Sequence, residues 1–477
     1  MNLSGAIGES MPHPSGDDMG KPAKVTKAAA DAALAHFQPA VRHWFVESFS
    51  GPTAAQAKAW PAIAAGEHTL LLAPTGSGKT LAAFLVAIDR LMFPASKPDT
   101  SDTSSPLKRA PGVRVLYISP LKALAVDVER NLRAPLAGVR AVAQRDGAPF
   151  HDPQIAIRSG DTASSDRYRM TKHPPDVLIT TPESLYLLLT SKARDILATV
   201  ETIIIDEIHS MAATKRGTHL FLSLERLECL RRAAADADAT ENAKPYRAAQ
   251  RIGLSATQRP LNEIARLLGG AEVAVGGEQP PQPRPVNIVE AGQRKQLELT
   301  IEVPVEDMAK LAEPTMASGP AAAGPTLPSI WPAVHPRLVE LIRAHRSTMI
   351  FVNSRRLAER LAAAINEVAD EEIALAHHGS IAKDTRAVIE DRLKRGQLPA
   401  IVATSSLELG IDMGAVDLVI QIEAPPSIAA GMQRIGRSGH SVGEVSRGVI
   451  FPKYRGDLLA CSAAAARMQT GEVEATY

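Results

Sequence analysis

The sequence predicts an α/β protein with two tandem units, each built on a mainly parallel β-sheet. Short apolar runs without polar alternation recur along the 477 residues, as expected of strands buried on both faces. Helix-like segments separate these runs, and most runs end in polar residues, where open α/β sheets place their ligands. A Pro- and Gln-rich stretch at 279–285 interrupts the pattern and predicts a domain boundary.

Four segments are expected along the chain. The first residues mix Gly, Ser, Pro, Asp and Lys without a period, which is typical of a disordered tail. The predicted segments are a tail at 1–36, a first unit at 37–282, a second unit at 283–470 and a short truncated tail at 471–477.

The composition limits the class of protein. Cys229 and Cys461 are the two cysteines and lack metal-ligand spacing, which excludes a disulfide framework or a zinc cluster. No stretch approaches the ~20 apolar residues of a membrane helix, and the N-terminus lacks a secretory h-region. We therefore expect a cytoplasmic protein without membrane contact. Since the net charge is +1, a nucleic acid would have to meet a local basic groove.

One loop carries the most specific signal. Residues 73–80 read Ala-Pro-Thr-Gly-Ser-Gly-Lys-Thr and lie between an apolar run and a helix-like segment, as phosphate-binding loops do. Gly76 and Gly78 allow a tight turn that aims backbone N–H groups at phosphate. Lys79 would reach the outer phosphates, and the Thr80 hydroxyl would bind Mg²⁺. The alternative, a Gly-rich turn without a ligand, is disfavoured by the flanking strand and helix. The residues predicted to hold nucleotide in this loop are Thr75, Gly76, Ser77, Gly78, Lys79 and Thr80.

Gln56 precedes this loop closely and is a candidate for base recognition. An amide side chain can form paired hydrogen bonds with N6 and N7 of adenine. The alternative is a solvated helix residue, and the position of Gln56 before a phosphate loop favours adenine recognition.

An acidic pair follows the apolar run 202–205. Asp206 would hold Mg²⁺ through water, and Glu207 would act as base or orienter for the attacking water. An Asp-Glu pair after a strand is otherwise a helix N-cap with its neighbour. The phosphate loop upstream and His209 downstream favour the catalytic interpretation.

Two arginines in the second unit are candidates for charge neutralisation during phosphoryl transfer. Arg434 and Arg437 lie on a Gly-punctuated turn at 433–440, and an arginine finger accelerates such transfer roughly 10³–10⁵-fold. A solvated basic turn is the alternative, which fits Arg434 better than Arg437. A finger in the second unit would couple hydrolysis to closure of the cleft between the units.

Together these motifs resemble the DExH-type helicases of superfamily 2. Longer phrases at 119–127, 206–220, 351–356 and 404–412 are similar to the large helicase-related (Lhr) family of bacterial and archaeal DNA helicases. The resemblance covers roughly residues 37–470. It implies two tandem RecA-like domains flanking an ATP cleft, with single-stranded DNA or a DNA/RNA hybrid crossing their upper surface. It further implies ATP hydrolysis with Mg²⁺, 3′ to 5′ translocation and a role in DNA repair.

The resemblance also implies roles for further residues. Gly410 and Asp412 would face the nucleotide. His209, with Ser255 and Thr257, would couple hydrolysis to strand movement. Hydroxyls, amides and cations at strand ends suit contacts to the nucleic-acid backbone that carry no sequence code. The residues implied to make such contacts are Lys122, Ser159, Gly160, Thr181, Glu183, Asn353, Arg355, Gly379 and Thr404.

Two departures from the family pattern stand out. His440 occupies a position where many relatives in the wider superfamily have arginine, which speaks against a finger there. Members of the family continue past the motor with a winged-helix domain and further modules, so the resemblance leaves open whether the chain is a fragment or a truncated gene product, and whether it unwinds alone. An RNA helicase and a non-catalytic nucleic-acid-binding module are the rival interpretations, and the oligomeric state is left open as well.

Overall fold

The computed structural model describes residues 25–74, 76–94, 111–237, 246–256, 259–272, 280–291, 296–308, 329–408, 416–439 and 445–475. Its α-helices are α1 Lys27–Leu34, α2 Pro39–Ser48, α3 Ala54–Ala64, α4 Lys79–Met92, α5 Lys122–Arg145, α6 Ser164–Lys172, α7 Pro182–Leu189, α8 His209–Ala212, α9 Lys215–Ala237, α10 Leu261–Gly269, α11 Trp331–Ala344, α12 Arg355–Ala369, α13 Lys383–Lys394, α14 Ile428–Ile435 and α15 Arg455–Thr470. Its β-strands are β1 His68–Leu72, β2 Val115–Ile118, β3 Ile155–Arg158, β4 Val177–Thr180, β5 Thr202–Ile205, β6 Gln250–Ser255, β7 Ala271–Glu272, β8 Gln282–Pro283, β9 Val286–Glu290, β10 Leu297–Ile301, β11 Thr348–Phe351, β12 Ala374–His377, β13 Ala400–Ala403, β14 Leu418–Ile422 and β15 Ser446–Phe451. Short 3₁₀ helices span Lys192–Leu197 and Ser405–Leu407.

The first domain is organised around a seven-stranded sheet in the order β3-β4-β2-β5-β6-β1-β9. Every neighbouring pair in it is parallel. The central strands β1, β2, β4 and β5 are almost entirely buried because helices cover both faces of the sheet. Parallel pairing places the carboxyl ends of all seven strands at one edge.

The second domain has a six-stranded sheet in the order β10-β15-β14-β11-β13-β12, again with every pair parallel. Helices α11 and α12 pack on one face, and α14 and α15 pack on the other. β10 lies at the edge of this sheet, and its residues alternate between half-buried and exposed. The two parallel sheets with helices on their faces confirm the predicted fold class.

A helix, α1, lies within the predicted tail at 1–36. Thr26 caps α1, and Ala33 and Leu34 pack into the core of the first domain. This burial explains why a segment of unremarkable composition is helical. Residues 1–24 lie outside the described part of the chain.

The boundary between the domains also differs from the predicted position at 282. The Pro-rich stretch leads into β9, which pairs with β1 and completes the first sheet. The boundary therefore falls between Ala291 and Gln296. At the other end, Glu474 accepts hydrogen bonds from the backbone N–H groups of Ile428 and Ala429, so the segment at 471–475 packs against α14.

Candidate nucleotide site and strand surface

The phosphate loop connects β1 to α4 as a tight turn. Gly76 and Gly78 both have φ of 80°, in the left-handed region where glycine is favoured. The Ser77 hydroxyl donates to the carbonyl oxygen of Pro74 at 2.7 Å. The hydroxyl of Thr53, before α3, donates to the carbonyl oxygen of Ser77 at 2.8 Å. The loop is therefore held both from within and by the preceding helix. Thr75 lies outside the described residues.

Gln56 lies directly against this loop. Its Oε1 accepts a hydrogen bond from the backbone N–H of Thr53 at 2.9 Å, which closes a capping box at the start of α3. A Cβ atom added at Gly78 would lie 2.7 Å from the Gln56 Nε2. The predicted base-recognition residue and the loop are thus brought together, and adenine recognition stays a prediction.

Lys79 is buried at the first position of α4, and its ammonium donates to the carbonyl oxygen of Ala73 at 2.7 Å. Its positive charge contributes to the lowered pKa of Glu207 and opposes the rise in the pKa of Asp206 that burial causes, so it lies close to the acidic pair. Thr80 follows it in the first turn of α4 and is partly buried.

The acidic pair is buried at the carboxyl end of β5, two strands from β1 in the sheet. The Tyr117 hydroxyl, from the neighbouring β2, donates to Asp206 Oδ2, and the Glu207 N–H donates to Oδ1 at 2.9 Å. Burial and the Glu207 charge raise the pKa of Asp206 to about 7. Burial also acts to raise the pKa of Glu207, but Lys79, His209 and Arg437 outweigh it, so this pKa lies below its ordinary value.

The oxygen atoms at this position suit a divalent cation. Glu207 Oε2 is buried and has no hydrogen-bond partner among the described residues. Mg²⁺ prefers oxygen ligands and is commonly held by one or two carboxylates together with substrate phosphates. Asp206 and the Thr80 hydroxyl supply oxygen ligands of the kind that suits a magnesium ion, and Glu207 keeps an acceptor oxygen available for the attacking water.

His209 connects the two domains. Its Nδ1 lies 3.1 Å from the Ser255 hydroxyl at the end of β6 and 3.5 Å from Glu207 Oε2. Its Nε2 contacts the side-chain amide of Gln433 in the second domain. Burial and Lys79 lower the pKa of His209, against the opposing effect of Glu207. Thr257, the third predicted coupling residue, lies outside the described residues.

The two candidate arginines have different surroundings. Arg437 lies close enough to Glu207 to lower the pKa of that carboxylate, and its Nη2 donates to the Glu408 carbonyl oxygen at 2.7 Å. Arg434 is 2% exposed, and its partners among the described residues lie in its own domain. Those partners are the Glu408 carboxylate at 2.6 Å, Asn353 Oδ1 at 2.9 Å, Gln421 Oε1 at 3.0 Å and the Phe351 ring at 5.4 Å.

The charge of Arg437 thus acts on the acidic pair, whereas the contacts of Arg434 tie α14 to the strands β11 and β14. The predicted nucleotide-facing residues Gly410 and Asp412 lie outside the described part of the chain.

The predicted strand contacts of the first domain fall at the carboxyl edge of its sheet. Lys122 Nζ pairs with Asp161 Oδ1 at 2.6 Å, and a Cβ added at Gly160 would lie 3.2 Å from that ammonium. Lys122, Ser159 and Gly160 are therefore brought together where β2 and β3 end.

Thr181 and Glu183 of the same predicted set lie at the start of α7. Thr181 caps this helix through the N–H of Ser184 at 3.4 Å and is buried. Glu183 pairs with Arg216, which lowers the pKa of Glu183. Both residues thus have local partners in addition to any strand contact.

The second-domain contacts lie at the equivalent edge. Asn353 donates to the Ala424 carbonyl oxygen at 2.9 Å, and Arg355 donates to the Ser380 hydroxyl at 2.7 Å. Gly379 is exposed, with open space where a side chain would be. Thr404 follows β13, and its N–H donates to the His377 carbonyl oxygen at 3.2 Å.

Sequence reasoning missed three residues of the site: Tyr117, Gln433 and Glu408. Tyr117 is the one hydroxyl-bearing residue of β2, and its role depends on β2 lying beside β5. Gln433 opens the arginine motif and Glu408 lies within a phrase of the family resemblance, but their partners depend on the packing between and within the domains.

Comparisons with known proteins agree with this geometry. Residues 53–264 match the DEAD/DEAH box helicase family, and residues 334–441 match the helicase conserved C-terminal domain. The Lhr helicase/probable uracil glycosylase of Mycolicibacterium smegmatis is 49% identical over 92% of this chain and 28% of its own. The Lhr helicase/uracil glycosylase of Escherichia coli is 44% identical over 92% of this chain and 28% of its own.

A solved structure shares the fold at high sequence identity. The structure of the Mycobacterium smegmatis helicase Lhr bound to ssDNA and AMP-PNP is 51% identical, with a TM-score of 0.77, over 93% of this chain and 51% of its own. The chain spans about a quarter of the length of the two bacterial relatives named above.

Among the described helices, none is long and apolar enough to cross a membrane. The two family matches fall on the two parallel-sheet domains, so this chain belongs to the DEAD/DEAH box helicases with a helicase conserved C-terminal domain, and it is similar to part of the Lhr helicases.

Proposed function

We propose that this chain converts ATP hydrolysis into movement along single-stranded DNA. The observation that carries the proposal is the charge arrangement around Glu207. A lysine of the phosphate loop and an arginine of the second domain both act on this carboxylate, which lowers its pKa despite burial. A triphosphate held between Lys79 and Arg437 would join the two domains.

Each residue of the site has a chemical task in this proposal. The phosphate-loop N–H groups and Lys79 bind the phosphates, and Gln56 recognises adenine. Glu207, ionised at neutral pH, accepts the proton of the attacking water. Arg437 neutralises the charge that develops on the transferred phosphoryl group.

Asp206 and Thr80 would hold Mg²⁺, which neutralises charge on the phosphate oxygens when bound. Arg434, which was predicted to be catalytic, is proposed instead to position Arg437 through Glu408, which both arginines contact.

Hydrolysis is proposed to move the strand through the contact between His209 and Gln433. His209 touches Glu207 and Ser255 on one side and the second domain on the other, so a change at the nucleotide alters the domain interface. The strand is proposed to lie on the carboxyl edges of both sheets, against Lys122 and Gly160 in the first domain and Arg355 and Gly379 in the second.

The finer features of the proposal rest on the family. The Mycobacterium smegmatis relative is bound to ssDNA and AMP-PNP in its solved structure. We propose single-stranded DNA or a DNA/RNA hybrid as the partner, 3′ to 5′ movement and a role in DNA repair. The scarcity of cysteine supports a cytoplasmic location.

A turnover assay tests the proposal. ATP hydrolysis is measured without nucleic acid, with single-stranded DNA and with RNA of the same sequence. We expect stimulation by DNA exceeding that by RNA, and a loss of about 10²–10⁴-fold in Glu207→Gln, because the base is removed. Lys79→Ala should also lose turnover, and both variants should still bind DNA.

Lys192→Ala, an exposed lysine of the first domain, serves as the matched control and should hydrolyse ATP normally. Wild-type turnover in Glu207→Gln would refute the assigned site. Stronger stimulation by RNA would instead identify an RNA helicase, and DNA binding without any hydrolysis would identify a binding module.

A further inference from the structure

A cavity of about 260 Å³ opens at the carboxyl edge of the second sheet. Its lining comes from the segments that follow β11, β14 and β15 and from the first two turns of α12. The lining residues are Ser354, Arg356, Leu357, Arg360, Glu423 and Lys453. We call this cavity the α12 pocket.

The charges of the α12 pocket are not balanced within the protein. Lys453 pairs with Glu423 at 2.9 Å, which leaves the positive charges of Arg356 and Arg360 in excess. Both arginines are exposed, and neither forms an ion pair or hydrogen bond with another described residue. They lie four positions apart on one helix face, where like charges repel and destabilise the helix. An anion in the pocket would relieve this repulsion.

The chemistry of the lining identifies the class of anion. Two guanidinium groups match the oxygen geometry of phosphate. The lining contains no aromatic side chain on which a base could stack. Glu423 disfavours a multiply charged anion, whereas a phosphodiester carries a single negative charge. The pocket therefore suits the phosphodiester backbone of a nucleic acid.

The position of the pocket agrees with such a ligand. Asn353, one of the predicted strand contacts, has its Nδ2 3.5 Å from Glu423 Oε2 on the pocket wall. Arg355, another predicted contact, lies beside Arg356 in the sequence. Tyr454, next to Lys453, is 60% exposed and offers a ring to a neighbouring base.

We propose that the α12 pocket binds a backbone phosphate of the nucleic-acid strand through Arg356 and Arg360. The contact surface on the second domain then extends from the ends of β12, β13 and β11 to the ends of β14 and β15. This inference rests on the proposed function, because it assumes that a strand lies along this edge.

Fluorescence anisotropy with a labelled single-stranded DNA, measured between about 50 and 200 mM salt, tests the pocket. The double variant Arg356→Gln/Arg360→Gln should bind about tenfold more weakly at low salt, since charge-assisted hydrogen bonds to phosphate are lost. The slope of log affinity against log salt should fall by ~0.7 for the one phosphate released. Arg356→Lys/Arg360→Lys should keep the wild-type slope, because both charges remain.

Arg467→Gln is the matched control. Arg467 is an exposed arginine of the same domain whose side chain pairs with no other described residue. It lies in the last turn of α15, whereas Lys453 precedes the first turn of that helix. It should keep both the affinity and the slope, and equal unfolding midpoints would show that all variants fold. If the double variant does not fold, Arg360→Gln alone is compared with Arg467→Gln.

The outcomes separate the two proposals. Suppose that the wild type binds DNA in a salt-dependent way and that the glutamine variants show the same affinity and the same slope. This result would overturn the α12 pocket and leave the proposed function intact. An equal loss in Arg467→Gln would also overturn the pocket, because the effect would then come from net charge. If the wild-type chain itself does not bind DNA in a salt-dependent way, the proposed function fails first.

Discussion

Glu207 has an unusual backbone conformation for a residue with a side chain. Its φ of 46° lies in the left-handed region, which costs of the order of 1–3 kcal/mol for such residues. Its N–H is held by Asp206, and the following N–H, of Ile208, donates to the Leu254 carbonyl oxygen at 3.0 Å. The two neighbouring strands thus hold Glu207 where its carboxylate faces Lys79 and Arg437 rather than the first turn of a helix.

A second buried carboxylate, Asp89 of α4, makes stability depend on pH. Burial raises its pKa to about 6, although the Gln38 N–H at 2.8 Å and Arg90 oppose the shift. The folded state therefore holds this proton more tightly than the unfolded state. The contribution of Asp89 to stability is fully present below pH ~4, where the carboxyl is protonated in both states, and it is lost as the pH rises through ~6. Asp89→Asn keeps an acceptor for Gln38 without the charge. We expect it to stabilise the first domain by up to about 3 kcal/mol at pH 8, since about two pKa units correspond to that energy.

Urea unfolding of wild type and Asp89→Asn from pH 8 down to about pH 4 measures this effect. The advantage of the variant should shrink as the pH falls through 6 and vanish near 4. A difference that stays constant over this range would mean that packing, not the charge of Asp89, separates the two proteins.

The sequence was enough to predict the role of a residue that lies at the end of a strand. It was not enough where the role depends on which strand or domain lies beside that residue. Lys79, Asp206 and Ser255 each end a buried apolar run or its loop, and parallel pairing necessarily brings such ends to one edge. The hydrogen bond from Tyr117 to Asp206 requires knowledge that β2 lies beside β5. The contact from Gln433 to His209 requires knowledge of how the domains face each other.

At the scale of a single element, α14 and the turn after it hold two arginines with different tasks. Arg434 is buried among Glu408, Asn353 and Gln421, so Arg434→Ala leaves the Glu408 carboxylate without its main partner. We expect a loss of about 3–5 kcal/mol in the unfolding free energy of the second domain. Arg437→Ala should lose far less stability but about 10³-fold or more in turnover.

Urea unfolding and ATP turnover, measured on both variants, distinguish these tasks. Arg437→Lys provides the matched control, because it keeps the positive charge but not the planar guanidinium group with its paired donors. It should recover part of the turnover that Arg437→Ala loses. An Arg434→Ala variant that folds as stably as wild type would contradict the structural role of Arg434.

Element boundaries were harder to predict than element types. The sequence reading ended the first domain within the Pro-rich stretch, because proline usually marks a linker. In β9, Val286 and Ile288 are half-buried, Val289 is buried, and Asn287 interrupts the apolar residues, so the sequence lacks the unbroken apolar run of a strand buried on both faces. Helix α1 was missed for a related reason, since its burial depends on α3, which lies later in the chain.

At the scale of the whole molecule, each domain has its own apolar cores on both faces of its sheet. The domains meet through polar contacts such as His209 with Gln433 and through Ala123 of α5, which packs against the second domain. Independent cores joined by contacts of this kind suit a cleft that opens and closes with nucleotide.

The boundary between Ala291 and Gln296 can be tested by dividing the chain. A fragment of residues 1–291 retains β9, whereas a fragment of residues 1–282, which ends at the predicted boundary, lacks it. Without β9, β1 becomes an exposed sheet edge directly before the phosphate loop, and such edges promote aggregation. We expect the longer fragment to unfold cooperatively and to bind a fluorescent ATP analogue, but not to hydrolyse ATP, because Arg437 is absent. The shorter fragment should aggregate or unfold at lower urea. Equal stability of the two fragments would show that β9 is dispensable and that the first domain ends at the Pro-rich stretch after all.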